Sequence, residues 1–275
     1  MTKEKKKKII PLPRLSPGAA LIDTHCHLDM EDYELDLDEV IKRATAAGVE
    51  RIITVGIDLQ SSRAAVELAR RFTGIYATIG VHPHNVTELT GDDYDALRRL
   101  ARQDKVVAYG EIGIDCVKDY APLALQQKHF KKQVELALEL DLPLVIHDRE
   151  AHAEVLAILR AAGPFPAGGV MHCFSGDSEL AQAVLDLGFM ISIPGVVTFN
   201  KAQMMQDAVQ AVPLTSLLLE TDGPYLSPVP KRGKRNEPES MLYTAQKVAE
   251  LKNVSLDEVA RQTTANAVQL FNLRD

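Results

Sequence analysis

Four histidines, one glutamate and one aspartate stand where a hydrolytic metal centre would need them. His25 and His27 lie in LIDTHCHLD, Glu111 in VVAYGEIGID, His147 in PLVIHDR, His172 in GVMHCFSG and Asp222 in LLLETDGPYL. Each segment passes from apolar to polar residues just before a loop. Nitrogen and oxygen donors without a thiolate suit Zn2+, Mn2+ or a partly hydrated Mg2+; the residue types do not choose among them. In His-Cys-His the imidazoles are two positions apart, which on a strand puts both on one face and lets them chelate one cation side by side. Cys26 then points the other way and reads as a packed thiol. Glu111 has two oxygens and could bridge two cations, with Gly110 and Gly113 allowing close backbone approach beside it. His147 and His172 would complete a second site. Asp222 could ligate the first while accepting a proton from water.

Residues scattered from His25 to Asp222 meet only if the chain brings successive strand ends to one mouth, and the (β/α)8 barrel does so. Eight strand-like segments follow one another at 21–29, 51–57, 75–82, 105–115, 143–149, 168–175, 188–195 and 216–224. Several are near-continuous Val/Ile/Leu runs, the pattern of strands buried on both faces. Amphipathic stretches such as YELDLDEVIKRATAAG, SSRAAVELARRF, DDYDALRRLARQ and LALQQKHFKKQVELALELD separate them. Gly48, Gly74, Gly163 and Gly188 fall just before strands, where helices end. The alternation predicts an α/β fold, a single (β/α)8 TIM barrel, with a basic loop at 227–236 and two extra C-terminal helices near 237–252 and 255–272. Residues 1–19 read as a basic, disordered N-terminal arm and residues 20–275 as the barrel.

A length of 275 residues is ordinary for one such barrel. No apolar run approaches the ~18 residues of a membrane span, and the N-terminus lacks the apolar core of a signal peptide. Cys26, Cys116 and Cys173 form no CxxC pair, which fits a reducing cytoplasm. The net charge of −7 argues against a protein that coats nucleic acid along its whole surface, but leaves room for a local basic mouth. Nothing in the sequence points to a membrane or to an obligatory protein partner.

Other polar residues fall near the expected mouth. Lys231, Arg232, Lys234 and Arg235 crowd one loop after Asp222, and Arg149 follows His147 closely enough to fork a phosphate. His82, at the end of the third strand with His84, is a candidate contact for substrate or leaving group. Tyr225 and Asn236 are weaker rim candidates. Asp23 and Glu220 share strand parity with the ligand candidates and are expected to orient imidazoles from behind. His129 and His152 fall in helical stretches and are expected to be solvated.

Seven motifs together resemble the TatD family of metal-dependent deoxyribonucleases, within the amidohydrolase-like barrels. They are DTHCHLD at 23–29, GVHPH at 80–84, GEIGID at 110–115, IHDR at 146–149, HCFSG at 172–176, ETDGPYL at 220–226 and RGKRNEP at 232–238. The resemblance runs from about residue 20 to 272. It implies His25, His27, Glu111 and Asp222 around one metal, and Glu111, His147 and His172 around the other. One departure is Cys116, where the family commonly has an aromatic residue.

The resemblance supplies a nucleic-acid substrate; the residue pattern by itself supplies only metal-assisted hydrolysis. Two divalent cations can clamp the attacking and leaving oxygens of a phosphodiester and activate a water at neutral pH. The expected activity is cleavage of DNA, single-stranded or at frayed ends, by a 3′–5′ exonuclease, with Glu111 and Asp222 as the catalytic carboxylates. The alternatives are a hydrolase of a small amide, ester or cyclic compound using the same two metals, and a non-catalytic metal-binding protein.

Overall fold

The structure, a computed structural model, describes residues 10–273. Eight parallel strands form one sheet in sequence order: β1 (Leu21–Cys26), β2 (Val49–Val55), β3 (Ile75–Ile79), β4 (Val106–Asp115), β5 (Leu144–Arg149), β6 (Gly169–Met171), β7 (Met190–Ile193) and β8 (Leu217–Leu219). Among the described residues ten α-helices accompany them: α1 (Glu31–Glu34), α2 (Leu37–Ala47), α3 (Leu59–Arg71), α4 (Gly91–Leu100), α5 (Leu123–Glu139), α6 (His152–Ala162), α7 (Ser178–Leu185), α8 (Gln203–Ala211), α9 (Met241–Lys252) and α10 (Leu256–Phe271). This is the (β/α)8 barrel expected; of the two helices that follow β8, α10 packs on β1 and β8 as the eighth barrel helix, and α9 is the extra one beside it.

Local chemistry agrees with the layout. Helix α3 starts on a reciprocal cap between Asp58 and Ser61, and Asp177 and Ser255 cap α7 and α10 by accepting from Leu180 N and Glu258 N. Helix α2 ends at Gly48, whose φ of 93° gives the left-handed cap that a side chain would strain. Helix α3 buries Ala65, Val66 and Ala69 on one face. Strands β1, β3 and β8 are buried along their whole length, because helices cover the outer face and packed side chains fill the inner one.

The barrel closes between β8 and β1, beyond the end of β8. Asp222 N donates to His25 O (2.9 Å) and His27 N to Gly223 O (2.8 Å). Inside the seam the Asp23 carboxylate accepts from Thr221 N (3.0 Å) and Thr221 Oγ1 (2.6 Å). Burial raises the Asp23 pKa to about 7, and its hydrogen bonds tie distant parts of the chain together.

Several strands are shorter than expected. His27, His172 and Asp222 lie past the ends of β1, β6 and β8, and the 216–224 segment is a strand only over Leu217–Leu219. The reason is conformational: Cys173 (φ 46°) and Asp222 (φ 54°) adopt left-handed backbone that cannot continue a ladder. The arm reading also changes. Residues 10–19 pack on the barrel: Tyr243 donates its hydroxyl to Ile10 O (3.1 Å), Ser16 N donates to Asp257 (3.0 Å), and Leu12 and Leu15 lie against the core. Their apolar side chains, not the charge upstream, decide their placement. Residues 1–9 of the expected arm lie outside the described residues.

Candidate metal centre

The six expected donors converge at the C-terminal mouth of the barrel, and the backbone explains why. The closing seam brings the ends of β1 and β8 together, so His25, His27 and Asp222 become neighbours. Asp222 Oδ1 lies 3.4 Å from His27 Nε2 and 3.8 Å from His25 Nε2. Across the mouth, His147 Nδ1 and His172 Nε2 each lie 2.7 Å from Glu111 Oε1, and 3.4 Å from one another.

Glu111 stands between the two groups. Its Oε1 faces His147 and His172, while its Oε2 faces His25 (3.4 Å) and His27 (4.0 Å). Two local features aim it there. The β3–β4 ladder ends at Tyr109, and the β4–β5 register slips between Tyr109 and Ile112; such an irregularity re-aims a side chain beside a site. Gly110 and Gly113 flank it with φ of 153° and 155°, and a methyl group at either would collide with the carbonyl of Val145 or His147 on β5. The backbone around Glu111 can approach β5 this closely because Gly110 and Gly113 have no side chains.

The donors fit cations. His25, His27, Glu111 and His172 are buried, yet both ring nitrogens of His25 and the Nδ1 atoms of His27 and His172 have no hydrogen-bond partner among the described residues. Buried polar atoms are normally satisfied, and one imidazole without any bond, facing two carboxylates, is what a ligand set looks like. His25, His27 and Asp222 place donor atoms within 4.8 Å of one another, as do His82, Glu111 and His147, and His25, His172 and Glu220. Burial opposes charge on Glu111, but His172, His82 and the hydrogen bonds from His147 and His172 hold its carboxyl well below the usual range. Asp222 is partly exposed, and its carboxyl is likewise held low against desolvation, by His27 first and then His25 and His172. Both carboxylates are ionised at neutral pH.

Glu220 sits behind His172, with Oε1 3.6 Å from Nδ1 and accepting from Cys173 N (2.6 Å), in keeping with an orienting role. Asp23 differs from expectation: its oxygens go to the backbone and hydroxyl of the seam, not to an imidazole. His82 is also closer to the centre than expected. Its Nε2 lies 3.4 Å from Glu111 Oε1, and Nδ1 accepts from His84 N (3.1 Å). Burial pushes its pKa down to about 4, so it is a neutral imidazole inside the cluster.

The basic loop divides. Arg235 forks Asp36 with two contacts of 2.8 Å and reaches Glu237 at 2.7 Å; Arg43 completes a ring of charges with Glu237 (2.8 Å) and Asp36 (3.1 Å). Buried Asn236 donates to Thr221 O (2.9 Å) and Tyr225 O (2.7 Å). The polar groups of both residues have partners inside the protein and fasten the loop to the barrel. Arg232 lays its guanidinium over Phe199 at 4.1 Å, and Lys231 pairs with Glu239 at 3.4 Å. Lys234 is exposed, and Arg149 is half-exposed with Nη1 4.0 Å from Asp115. Tyr225 is exposed with its ring 6.4 Å from that of His27.

Sequence reasoning missed Asp115. Its Oδ2 lies 2.8 Å from His84 Nε2 and 3.4 Å from His147 Nε2, while Oδ1 accepts from the backbone of Val117 and Lys118. With Nδ1 of His147 toward Glu111, this is the carboxylate–imidazole arrangement that fixes a metal-binding tautomer. The signal was available: Asp115 shares strand parity with Glu111. His129, expected to be solvated, is instead buried with its Nδ1 2.7 Å from the Tyr94 hydroxyl, because that face of α5 packs on α4. His152 pairs with Asp148 (2.8 Å).

Comparison with known proteins gives the family. Residues 22–272 match the family model described as TatD related DNase. A Bacillus subtilis relative, described as the uncharacterized metal-dependent hydrolase YabD, is 43% identical over 253 residues, covering 92% of this chain and 99% of its own. A Citrobacter koseri protein named 3′-5′ ssDNA/RNA exonuclease TatD is 35% identical over 258 residues, covering 92% of this chain and 99% of its own. The crystal structure of YJJV, a TatD homolog from Escherichia coli K12, superposes with a TM-score of 0.88 at 33% identity, over 92% of this chain and 98% of that one. With its barrel, its donor set and this match along nearly the whole chain, the protein belongs to the TatD-related DNase family and is a metal-dependent hydrolase.

Proposed function

We propose that the protein is a 3′–5′ exonuclease acting on single-stranded or frayed DNA ends, with two divalent cations (Zn2+, Mn2+ or Mg2+) in the mouth. The observation that carries the reading is Glu111, whose two oxygens face opposite donor groups. His25, His27, Asp222 and Glu111 would hold one cation; Glu111, His147 and His172 would hold the other. Bound there, the pair would supply Lewis acidity and lower the pKa of water.

The chain's own residues do the rest. Asp222 Oδ1 accepts the proton of the attacking water, and its ionised state at neutral pH keeps it ready to do so. Asp115 holds the His147 ring with Nδ1 toward Glu111, and Glu220 backs His172. Neutral His82 can donate one hydrogen bond to the substrate or leaving oxygen without adding charge. Arg149 and Lys234, both exposed, remain available to the phosphates. Free Cys26, Cys116 and Cys173 suit a cytoplasmic enzyme, and no described helix is long and apolar enough to cross a membrane.

One observation favours a second reading. Arg235 and Lys231 are engaged with acids, which thins the basic mouth that DNA would need. A hydrolase of a small ester, amide or cyclic compound would use the same centre. The test is metal-stripped protein reconstituted with Mg2+, Mn2+ or Zn2+ and incubated with end-labelled single-stranded DNA, beside Asp222→Asn. A ladder shortening from the 3′ end, restored by metal and absent in the variant, supports the exonuclease; intact DNA with all three metals, in protein shown to bind them, moves the assignment to small substrates.

A further inference from the structure

Among the described residues the exposed aromatic rings are Tyr120, 61% exposed, and Tyr225, 52% exposed, and both belong to loops at the mouth. Exposed apolar side chains scattered singly are ordinary, whereas several gathered at one rim mark a binding surface. Tyr120 lies in the β4–α5 loop, with Val117 and Leu123 exposed beside it. Its ring rests against His84, centroids 4.7 Å apart and tilted by 57°. His84 meets His82 edge-on at 4.2 Å and lies 6.2 Å from the ring of His147. A row of rings therefore leads out of the centre, from His82 through His84 to Tyr120.

The row is held in place. Asp115 fixes His84 through Nε2 at 2.8 Å and binds the first turn of the loop through Val117 N (2.8 Å) and Lys118 N (2.9 Å). Tyr120 is thus anchored at its inner edge and open on its outer face. We propose that Tyr120, seated on His84, is the stacking surface for the terminal base of the DNA strand whose phosphodiester lies in the centre. This inference rests on the exonuclease reading. A flat, apolar, uncharged ring next to a phosphodiester site fits a nucleobase of any sequence, since every base offers a π-face. It also answers the departure at Cys116: the aromatic surface comes from four residues further along the loop.

The experiment measures kcat and KM for metal-loaded wild type, Tyr120→Ala and Tyr120→Phe on two oligodeoxynucleotides. One ends in a normal 3′ nucleotide and the other in an abasic 3′ residue. Tyr120→Ala should raise KM on the normal end about tenfold, within the range of base–aromatic stacking, and change the abasic end by less than about twofold. Tyr120→Phe should behave as wild type on both. Equal effects of Tyr120→Ala on the two substrates, or none on either, overturn the stacking role while leaving the exonuclease intact. Wild type that cuts neither substrate overturns both readings together. Melting curves matched to wild type establish that the variants are folded.

Discussion

The centre of the mouth and its rim are built by different means. At the centre, side chains from strand ends meet around Glu111, buried and short of hydrogen-bond partners. At the rim, the basic loop at 227–236 is largely tied to its own protein: Arg235 to Asp36 and Glu237, Lys231 to Glu239, Arg232 to Phe199. The centre keeps unmet bonding capacity for ions, whereas the rim has used most of its own for shape. Charge in a loop is thus a poor guide to binding; unmet capacity in a buried place is a better one.

The largest effects belong to the centre. Asp222→Asn keeps the shape of the site but removes the proton acceptor and an anionic ligand, and should lower kcat about 10²–10⁴-fold. Turnover within a few-fold of wild type would show that the Asp222 carboxylate is structural. Next comes Asp115→Asn, which leaves His147 in place without a fixed tautomer. Metal affinity should fall about 10- to 100-fold, read by competition with a chelator, while the melting temperature barely moves.

The rim should separate cleanly into two kinds of arginine. Arg149→Ala should raise KM for DNA several-fold, as loss of a charge-assisted phosphate contact does, with about 1.5–3 kcal/mol at stake at most. Arg235→Ala should leave that KM nearly alone and instead lower the melting temperature by about 2–4 °C. The reverse pattern would return Arg235 to the substrate.

The smallest effect is a pH dependence of the ion-pair ring. Arg235 first, and Arg43 after it, hold the Asp36 carboxyl down at about 2, below its ordinary 3.8. A depressed carboxylate contributes stability that is fully present above the ordinary value and is lost as pH falls through the folded one. The difference in melting temperature between wild type and Asp36→Asn should therefore shrink as pH is lowered from about 5 towards 2. A difference that stays constant would mean the ring contributes through packing alone. The side chains are partly exposed, so salt should also weaken it.

What could be read in advance follows the same division. The donors were legible because a barrel forces strand ends to one face, so His147 after an Ile/Val run carries its location with it. His25 and His27 were legible as a pair from their spacing. Asp115 carried a parity signal that went unused. Arg235 carried none, since its partner Asp36 is far away in sequence and nothing near either residue announces the other. The seam was equally hidden: Asp23 looked like a residue behind an imidazole, and only the closure of β8 on β1 reveals it as a clasp on Thr221. The lengths of β6 and β8 were overestimated because the left-handed turns at Cys173 and Asp222 are backbone choices that hydrophobic patterning does not encode.

The central claim, that Glu111 joins two donor groups into one two-cation centre, is tested most directly by counting metal. Stripped wild type and Glu111→Gln would each be titrated with Mn2+ or Zn2+ by calorimetry, with bound metal checked by elemental analysis after gel filtration. The account predicts two ions per chain in wild type and at most one firmly held in the variant, with DNA cleavage lost alongside. A single ion in wild type, or two ions retained by the variant, would contradict it.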